Sequence, residues 1–194
     1  FYKQNTPYKD VYELEAGSYA YLDLNNMSLI MDKWWRIEDY YQKEKFDLTN
    51  NEAMEQIDSL LNLSIKRRLQ SSDLEVGSFL SGGIDSGLVT SIAAKQFKNL
   101  KAYTVSIDGQ YDESHLAKQV AEKYSLDQTI INIDFHNLEN EIEKILINYG
   151  EPFADSSAIP SFYVSREAKK YTTVVLNGDG GDELFAGYRR YVPF

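Results

Sequence analysis

Cysteine is absent from the 194 residues, and histidine occurs only twice, as His115 and His136. Without cysteine, this stretch has no disulfide, no thiolate metal site and no cysteine nucleophile. The two histidines are isolated and read as surface or core residues, not ligands. Positive charge is also in deficit: 20 Lys and Arg stand against 30 Asp and Glu, a formal charge of −10. That balance argues against non-specific nucleic-acid binding. The obvious basic cluster, Lys66-Arg67-Arg68, falls at the end of a helical pattern, where cations offset the helix dipole. No apolar run reaches the length of a membrane span, and the N-terminus lacks a signal-peptide pattern. Repeats and low-complexity segments are missing as well. A cytoplasmic protein with neither a membrane nor a nucleic-acid partner is the expectation.

What is present suffices for a core, because 43% of the residues are hydrophobic, too many for a disordered chain. The length suits one domain, or one with an appendage. The chain opens on Phe1 and closes at Phe194 directly after a helical pattern, so a piece of a longer protein is expected.

Residues 11–24, VYELEAGSYAYLDL, put Gly17 between two alternating runs, which predicts a hairpin or tight connection there. Asn25-Asn26 marks a second turn, and residues 28–37 continue as a strand. Residues 38–47 are polar and aromatic and read as a linker, with Trp34-Trp35 and Tyr40-Tyr41 expected to pack between domains. The period then changes. Thr49 and Glu52 form a capping box, and Met54, Ile57, Leu61, Ile65 and Leu69 share one helical face. Beyond it, strands over 75–80, 102–107, 128–133 and 172–176 alternate with helices over 86–97, 112–124 and 138–149, one ending near 170 and one starting near 182. Such βαβ alternation predicts an α/β fold with a parallel sheet covered on both faces.

Two stretches interrupt this pattern with glycine and acid. SFLSGGIDSGLV, residues 78–89, runs from an apolar strand through Ser81-Gly82-Gly83 to Asp85, Ser86 and a helix. Free amides and the positive end of a helix dipole at a glycine turn suit a phosphate, with the glycines allowing close approach and positive φ. No Walker lysine is present, and Gly82-Gly83-Ile84-Asp85-Ser86-Gly87 does not fit the dinucleotide fingerprint. An acid beside a phosphate loop is repulsive unless a cation lies between, which suggests Mg²⁺ at Asp85. The plainer alternative is an ordinary βα turn. VVLNGDGGDELFAG, residues 174–187, repeats the logic with Asp179, Asp182 and Glu183, and its spacing is not that of an EF-hand. Ligands in open parallel sheets sit beyond the carboxyl ends of the strands, so both loops can converge on one metal–phosphate group. Asp85 and Asp182 are the candidate Mg²⁺ ligands. The loop GEPFADSS, residues 150–157, suits either a pocket wall or plain helix entry, and Asp112-Glu113 read as a helix cap. Arg189-Arg190 close a helix, where they offset its dipole.

SGGIDS resembles the pyrophosphate loop of the N-type ATP pyrophosphatases. With EPFADSSAIPSFYVSREAKK and LNGDGGDELFAGYRRY, the stretch from Asn50 to Tyr191 resembles the synthetase domain of glutamine-hydrolysing asparagine synthetases, a branch that also holds the β-lactam synthetases. The resemblance implies a Rossmann-like ATP pyrophosphatase domain over 49–194, incomplete at its C-terminus. It implies a linker over 38–48, and in residues 1–37 the closing strands of a glutaminase-like domain, with Ala16 where proline is usual. Ser81, Gly82, Gly83, Asp85 and Ser86 then hold the pyrophosphate part of ATP, and Asp85 and Asp182 hold Mg²⁺. Phe79 and Ile107 match positions that touch the nucleotide, and Asn177 and Gly178 match the pair that contacts AMP. Asp179 matches a catalytic carboxylate, and Ala186 replaces a frequent glycine with little expected consequence. The implied reaction activates aspartate as β-aspartyl-AMP and amidates it with ammonia drawn from glutamine by a domain upstream. A homodimer is compatible with this. The family's glutaminase cysteine is missing here, and its later phosphate-contacting lysine lies beyond Phe194, so this stretch alone is not expected to hydrolyse glutamine. An adenylating ligase on another acid, as in β-lactam formation, and a non-catalytic nucleotide-binding relative are the alternatives.

Overall fold

Contacts within the computed structural model, which describes residues 4–107, 112–133, 138–151, 155, 157–188 and 191, divide the chain into two units. The first is Phe1–Leu48 with Leu146–Ala154, and the second is Thr49–Ile145 with Asp155–Phe194.

In the first unit, β1 (Ser18–Asp23) and β2 (Ser28–Lys33) form an antiparallel hairpin, paired from Ser18↔Lys33 to Asp23↔Ser28. The side chains of Asp23 and Asn26 accept the amides of Asn25 and Ser28, and Met27 takes φ 55°. Asn25-Asn26 is therefore the hairpin turn. Of the two alternatives at Gly17, the tight connection is found and the hairpin is not: the Ser18 amide bonds to the Glu15 carbonyl across Ala16-Gly17. Residues 11–15 form no strand and contribute one bridge, Asn5↔Tyr12. Gly17 instead opens β1 at φ 71°, and its carbonyl accepts the amides of both Trp34 and Trp35. That double acceptance ends β2 at Lys33, short of the predicted 37. A single helical turn, α1 (Glu38–Tyr41), follows, and the Trp35 ring stacks at a tilt on Tyr40 at 5.7 Å.

The second unit begins with the capping box, in which Thr49 and Glu52 exchange side-chain and backbone bonds to start α2 (Asn50–Gln70). Next come β3 (Val76–Phe79), α3 (Ile84–Gln96), β4 (Lys101–Ile107), α4 (Ser114–Tyr124), β5 (Asp127–Ile133), α5 (Leu138–Tyr149, which the second unit holds as far as Ile145), α6 (Ala158–Ala168), β6 (Val174–Leu176) and α7 (Gly181–Phe185). The sheet is all parallel, in the order β5-β4-β3-β6. Growth thus runs from β3 through β4 to β5, then reverses to the other side of β3.

Alternation along the strands sorts the core into two layers. Val76, Leu80, Ala102 and Leu176 pack with Ile65 of α2, Ile92 and Ala93 of α3, and Ala117 and Ala121 of α4. Tyr103, Ile131 and Ile133, with the half-buried Phe79, Val105 and Val175, pack against Tyr163 and Ala168 of α6. Right-handed crossovers produce this split, because the units before and after the reversal close on opposite faces. The predicted α2 stripe is only half used. Ile65 is buried, whereas Met54 and Ile57 are 62% and 40% exposed. A helix of 21 residues spans about 32 Å, and the longest strands, of seven residues, only about 23 Å, so α2 overhangs the sheet. Asp112 accepts the Ser114 amide and the hydroxyls of Ser106 and Ser114 just before α4; the bond from the Ser114 amide, foremost, holds its carboxyl below the usual range. Among the described residues, no helix is long and apolar enough to cross a membrane.

Two local details of the second unit generate tests. Ser78 and Thr90, both fully buried, share a hydroxyl bond of 2.7 Å between β3 and α3. Thr90→Val strands the Ser78 hydroxyl and should destabilise the fold by about 1–3 kcal/mol in urea denaturation, with Ser78→Ala/Thr90→Val closer to wild type. Ala186 ends α7 with φ 55°, a left-handed conformation that strains any residue with a Cβ, so alanine here does have a consequence. Ala186→Gly should raise stability by roughly 0.5–1 kcal/mol, read from the same denaturation curves.

Candidate functional site

β3 delivers its chain to the carboxyl edge of the sheet under tight control. The Leu80 amide bonds to the Tyr103 carbonyl, and the Leu80 carbonyl accepts Thr104 Oγ1 at 2.8 Å. The loop that follows is built around Ser86, which is 8% exposed. Its Oγ accepts the Ser81 amide at 3.1 Å, shares a bond of 2.7 Å with Ser81 Oγ, and reaches the carbonyls of Ser81 and Gly83. Ser81 Oγ in turn accepts the Gly83 amide. α3 then starts from Gly83, which has no side chain to cap it, so the first-turn amides keep their anion-attracting character.

The glycines act differently from expectation. Neither Gly82 nor Gly83 has positive φ. A Cβ on Gly82 would lie 2.4 Å from Cβ of Glu113 at the start of α4, so packing explains that residue. Positive φ occurs in the second loop, at Gly180, which turns the chain into α7 at 91°.

The second loop leaves β6 and folds on itself. Asn177 Nδ2 donates to Asp179 Oδ2 at 2.7 Å, and the Gly181 amide bonds to the Gly178 carbonyl. Its decisive contact is with the first loop: a Cβ on Gly178 would stand 2.8 Å from the Ser86 nitrogen and 3.0 Å from the Asp85 carbonyl carbon. The two main chains touch where the sheet reverses its growth, between β3 and β6. Open α/β sheets place their ligands in such a crevice.

A cleft of about 900 Å³ occupies this crevice. Phe79, Ser81, Gly83, Asp85, Ser86, Asn177, Gly178, Asp179 and Asp182 all line it. Gly82 does not, because it turns to Glu113. Ile107 closes β4, and its side chain lies outside the described residues. Of residues 150–157, Asp155 and Ser157 line the cleft, whereas 152–154 and 156 lie outside the described residues, as do His136 and Arg189-Arg190. The Ser157 backbone and side chain bond to Asp155 and hold its carboxyl below the usual range. His115 is exposed.

The opposite wall was not foreseen. Ser161 and Ser165 of α6 line the cleft, with Tyr103 and Val105 rising from β4. Ser157, the N-cap, and Ser161 and Ser165 recur every four residues, a polar row through a stretch that is otherwise apolar up to Val164, and that spacing is the signal that marks them. Glu183 and Tyr188 also line the cleft, with the Tyr188 hydroxyl donating to Glu183 at 2.7 Å. Among the described lining residues, five carboxylates (Asp85, Asp155, Asp179, Asp182 and Glu183) face the cleft, and no lysine, arginine or histidine does.

The chain is similar to known proteins. The family model for asparagine synthase matches residues 56–193. A Methanocaldococcus jannaschii protein, provisionally named glutamine-hydrolysing asparagine synthetase 2, is 34% identical over 190 residues, which cover 95% of this chain and 35% of that protein. Glutamine-hydrolysing asparagine synthetase 1 of Bacillus subtilis is 42% identical over 121 residues, covering 62% of this chain and 19% of the relative. The chain thus spans about a third or less of the length of these curated relatives. Among solved structures, glutamine-dependent NAD+ synthetase from Acinetobacter baumannii in complex with adenosine diphosphate aligns at 20% identity and a TM-score of 0.49, over 84% of this chain and 32% of that one.

The main-chain contact at Gly178 is directly testable. Gly178→Ala should force the loops apart, destabilise the fold by about 1–3 kcal/mol, and lower hydrogen-exchange protection in the first turn of α3. Unchanged protection there would show that the loops do not bear on each other.

Proposed function

Because this chain belongs to the asparagine synthase family, we propose that its cleft binds ATP and uses it to activate a carboxylate for amide formation, with the side chain of aspartate as acyl substrate and ammonia as nitrogen donor. The supporting observation is the meeting of the two glycine-rich acidic loops between β3 and β6, with Gly178 against Asp85 and Ser86. In this reading Ser81, Gly83, Asp85, Ser86 and the uncapped start of α3 hold the pyrophosphate part of ATP, and Gly82, turned to Glu113, is left out of the set. Asn177 and Gly178 contact AMP, and Phe79 and Ile107 touch the nucleotide.

The charge of the cleft demands a counterion. Two like unit charges 4 Å apart repel by about 4 kcal/mol at an effective dielectric of 20, and five carboxylates await a polyanion here. Mg²⁺ fits the donor set. Asp85 and Asp182 offer hard oxygens, and Gly181 leaves room for the Asp85 carboxylate beside it. Among the described residues, no three acidic or imidazole groups cluster to enclose a cation. That agrees with an ion held by one or two carboxylates plus substrate phosphates. Bound magnesium supplies neutralisation of charge on the phosphates.

The protein's part is then position and proton transfer. An oxygen of the aspartate side chain attacks the α-phosphorus, and pyrophosphate leaves with its bonding electrons. Ammonia adds to the acyl carbon of β-aspartyl-AMP, and AMP departs. Asp179, held by Asn177, takes the proton that the attacking nitrogen loses. Residues 1–37 close a glutaminase-like domain that supplies the ammonia, joined by a linker over 38–48. The exposure of Tyr21, Ile30 and Met31, at 63%, 60% and 63%, supports this, because a lone two-stranded hairpin is marginal and needs a larger sheet.

The test is exchange of labelled pyrophosphate into ATP by the intact protein. Exchange should require aspartate, and Asp85→Asn and Asp182→Asn should each lower it by about 10²–10³-fold with the melting curve unchanged. Exchange with another acid but not with aspartate would replace the acyl substrate, and wild-type rates in both variants would remove these residues from the magnesium site.

A further inference from the structure

The glycines of the unit fall into distinct steric classes. Gly178 faces main chain, Gly82 faces Glu113, Gly180 has open space, and Gly87 has its nearest neighbour 3.9 Å away, Cγ2 of Val120. Gly181 and Gly187 face carboxylates. A Cβ on Gly181 would lie 2.6 Å from Cγ of Asp85 and 2.7 and 2.9 Å from its oxygens. A Cβ on Gly187 would lie 2.0 Å from Oδ1 and 3.1 Å from Cγ of Asp182. Neither glycine has positive φ, so the backbone conformation does not require glycine at either position. Space for the carboxylate does.

We propose that Gly181 and Gly187 are positioning residues for the two metal-binding acids: each leaves a gap the size of one methyl group, and a carboxylate fills it. The proposal rests on the reading of Asp85 and Asp182 as magnesium ligands. At Gly181 the obstructing atoms are the free end of a side chain; at Gly187 the nearest are too, with Cα of Asp182 behind them at 3.3 Å, so an added methyl is relieved chiefly by turning the carboxylate aside and leaves the fold in place. The two seats differ in reach. Asp85 belongs to the first loop and Gly181 to the start of α7, so this seat sets the register of the loops. Asp182 and Gly187 flank a single turn, closed by the left-handed Ala186 and the bond from the Gly187 amide to the Asp182 carbonyl. The Tyr188–Glu183 bond pins the same turn from outside.

The experiment titrates Mg²⁺ against ATP binding by the intact protein, in parallel with direct Mn²⁺ binding followed by electron paramagnetic resonance. Gly181→Ala and Gly187→Ala should each raise the Mg²⁺ concentration for half-maximal ATP binding by about 10–100-fold, as for groups that orient metal ligands. Their melting temperatures should stay near that of Gly87→Ala, the control with room for a methyl. Gly181→Ala/Asp85→Asn should bind no more weakly than Asp85→Asn alone, because both changes act through one carboxylate. Wild-type Mg²⁺ dependence in both alanine variants, or full additivity in the double variant, would overturn the proposal. A lowered melting temperature with unchanged Mg²⁺ dependence would overturn it too, and the two glycines are read separately so that a folding defect in one leaves the other informative. If Asp85→Asn and Asp182→Asn themselves leave the Mg²⁺ dependence unchanged, the magnesium assignment fails first and carries this inference with it.

Discussion

The cleft depends on one close approach, that of the Gly178 main chain to the main chain at Asp85 and Ser86. Neighbouring parallel strands hold their axes about 5 Å apart, so loops leaving β3 and β6 start close together. They stay together only if neither carries bulk at the point of contact. Gly178 removes that bulk, and the bonds around the Ser86 hydroxyl fix the surface it meets. The rest of the site hangs from this joint: the uncapped start of α3, the Asn177–Asp179 bond and the turn into α7.

The sheet supplies rigidity from both sides of this joint. On the α3/α4 face, fully buried hydroxyls at Ser78, Thr90 and Thr104 tie strands to helix and loop, and Gln128 reaches Thr104 at 2.8 Å. On the other face, Phe79, Tyr103 and Val105 serve both the core and the cleft. The division follows from alternation along each strand. One set of side chains anchors the loops, and the neighbouring set forms the floor beneath whatever they hold.

Much of this architecture was legible because its causes are local. The capping box at Thr49 and Glu52, the alternation of strand and helix, and the glycine-rich strand exits all rest on residues close in sequence, and the second unit has the α/β order read from them. The places where the reading slipped share a different cause. Gly82 looks like a phosphate glycine until α4, some thirty residues later, brings Glu113 against it. Gly17 reads equally as a hairpin or a tight connection, and the bonds from Trp34 and Trp35 to its carbonyl, distant in sequence, accompany the second. The α2 stripe is regular along its whole length, but the sheet is shorter than the helix. Ser161 and Ser165 carried a readable period, and only the packing of α6 shows that their row faces a cleft. Ten of the eleven positions singled out for nucleotide, metal or catalysis, Ile107 aside, belong to the two loops or their approach, so spatial convergence added what sequence spacing could not.

The register of β6 has one more consequence. Val174 pairs with Val76, about a hundred residues earlier, and β4, β5 and the helices α3 to α6 lie between them in sequence. During synthesis, β3, β4 and β5 can pair while β6 is still unmade, leaving β3 as an apolar open edge. The crevice does not exist at that stage, since one of its walls has not been added. Assembly of the site is therefore a late, long-range event that seals a vulnerable edge as it creates the pocket, and the order of translation makes the closing strand the step on which both depend.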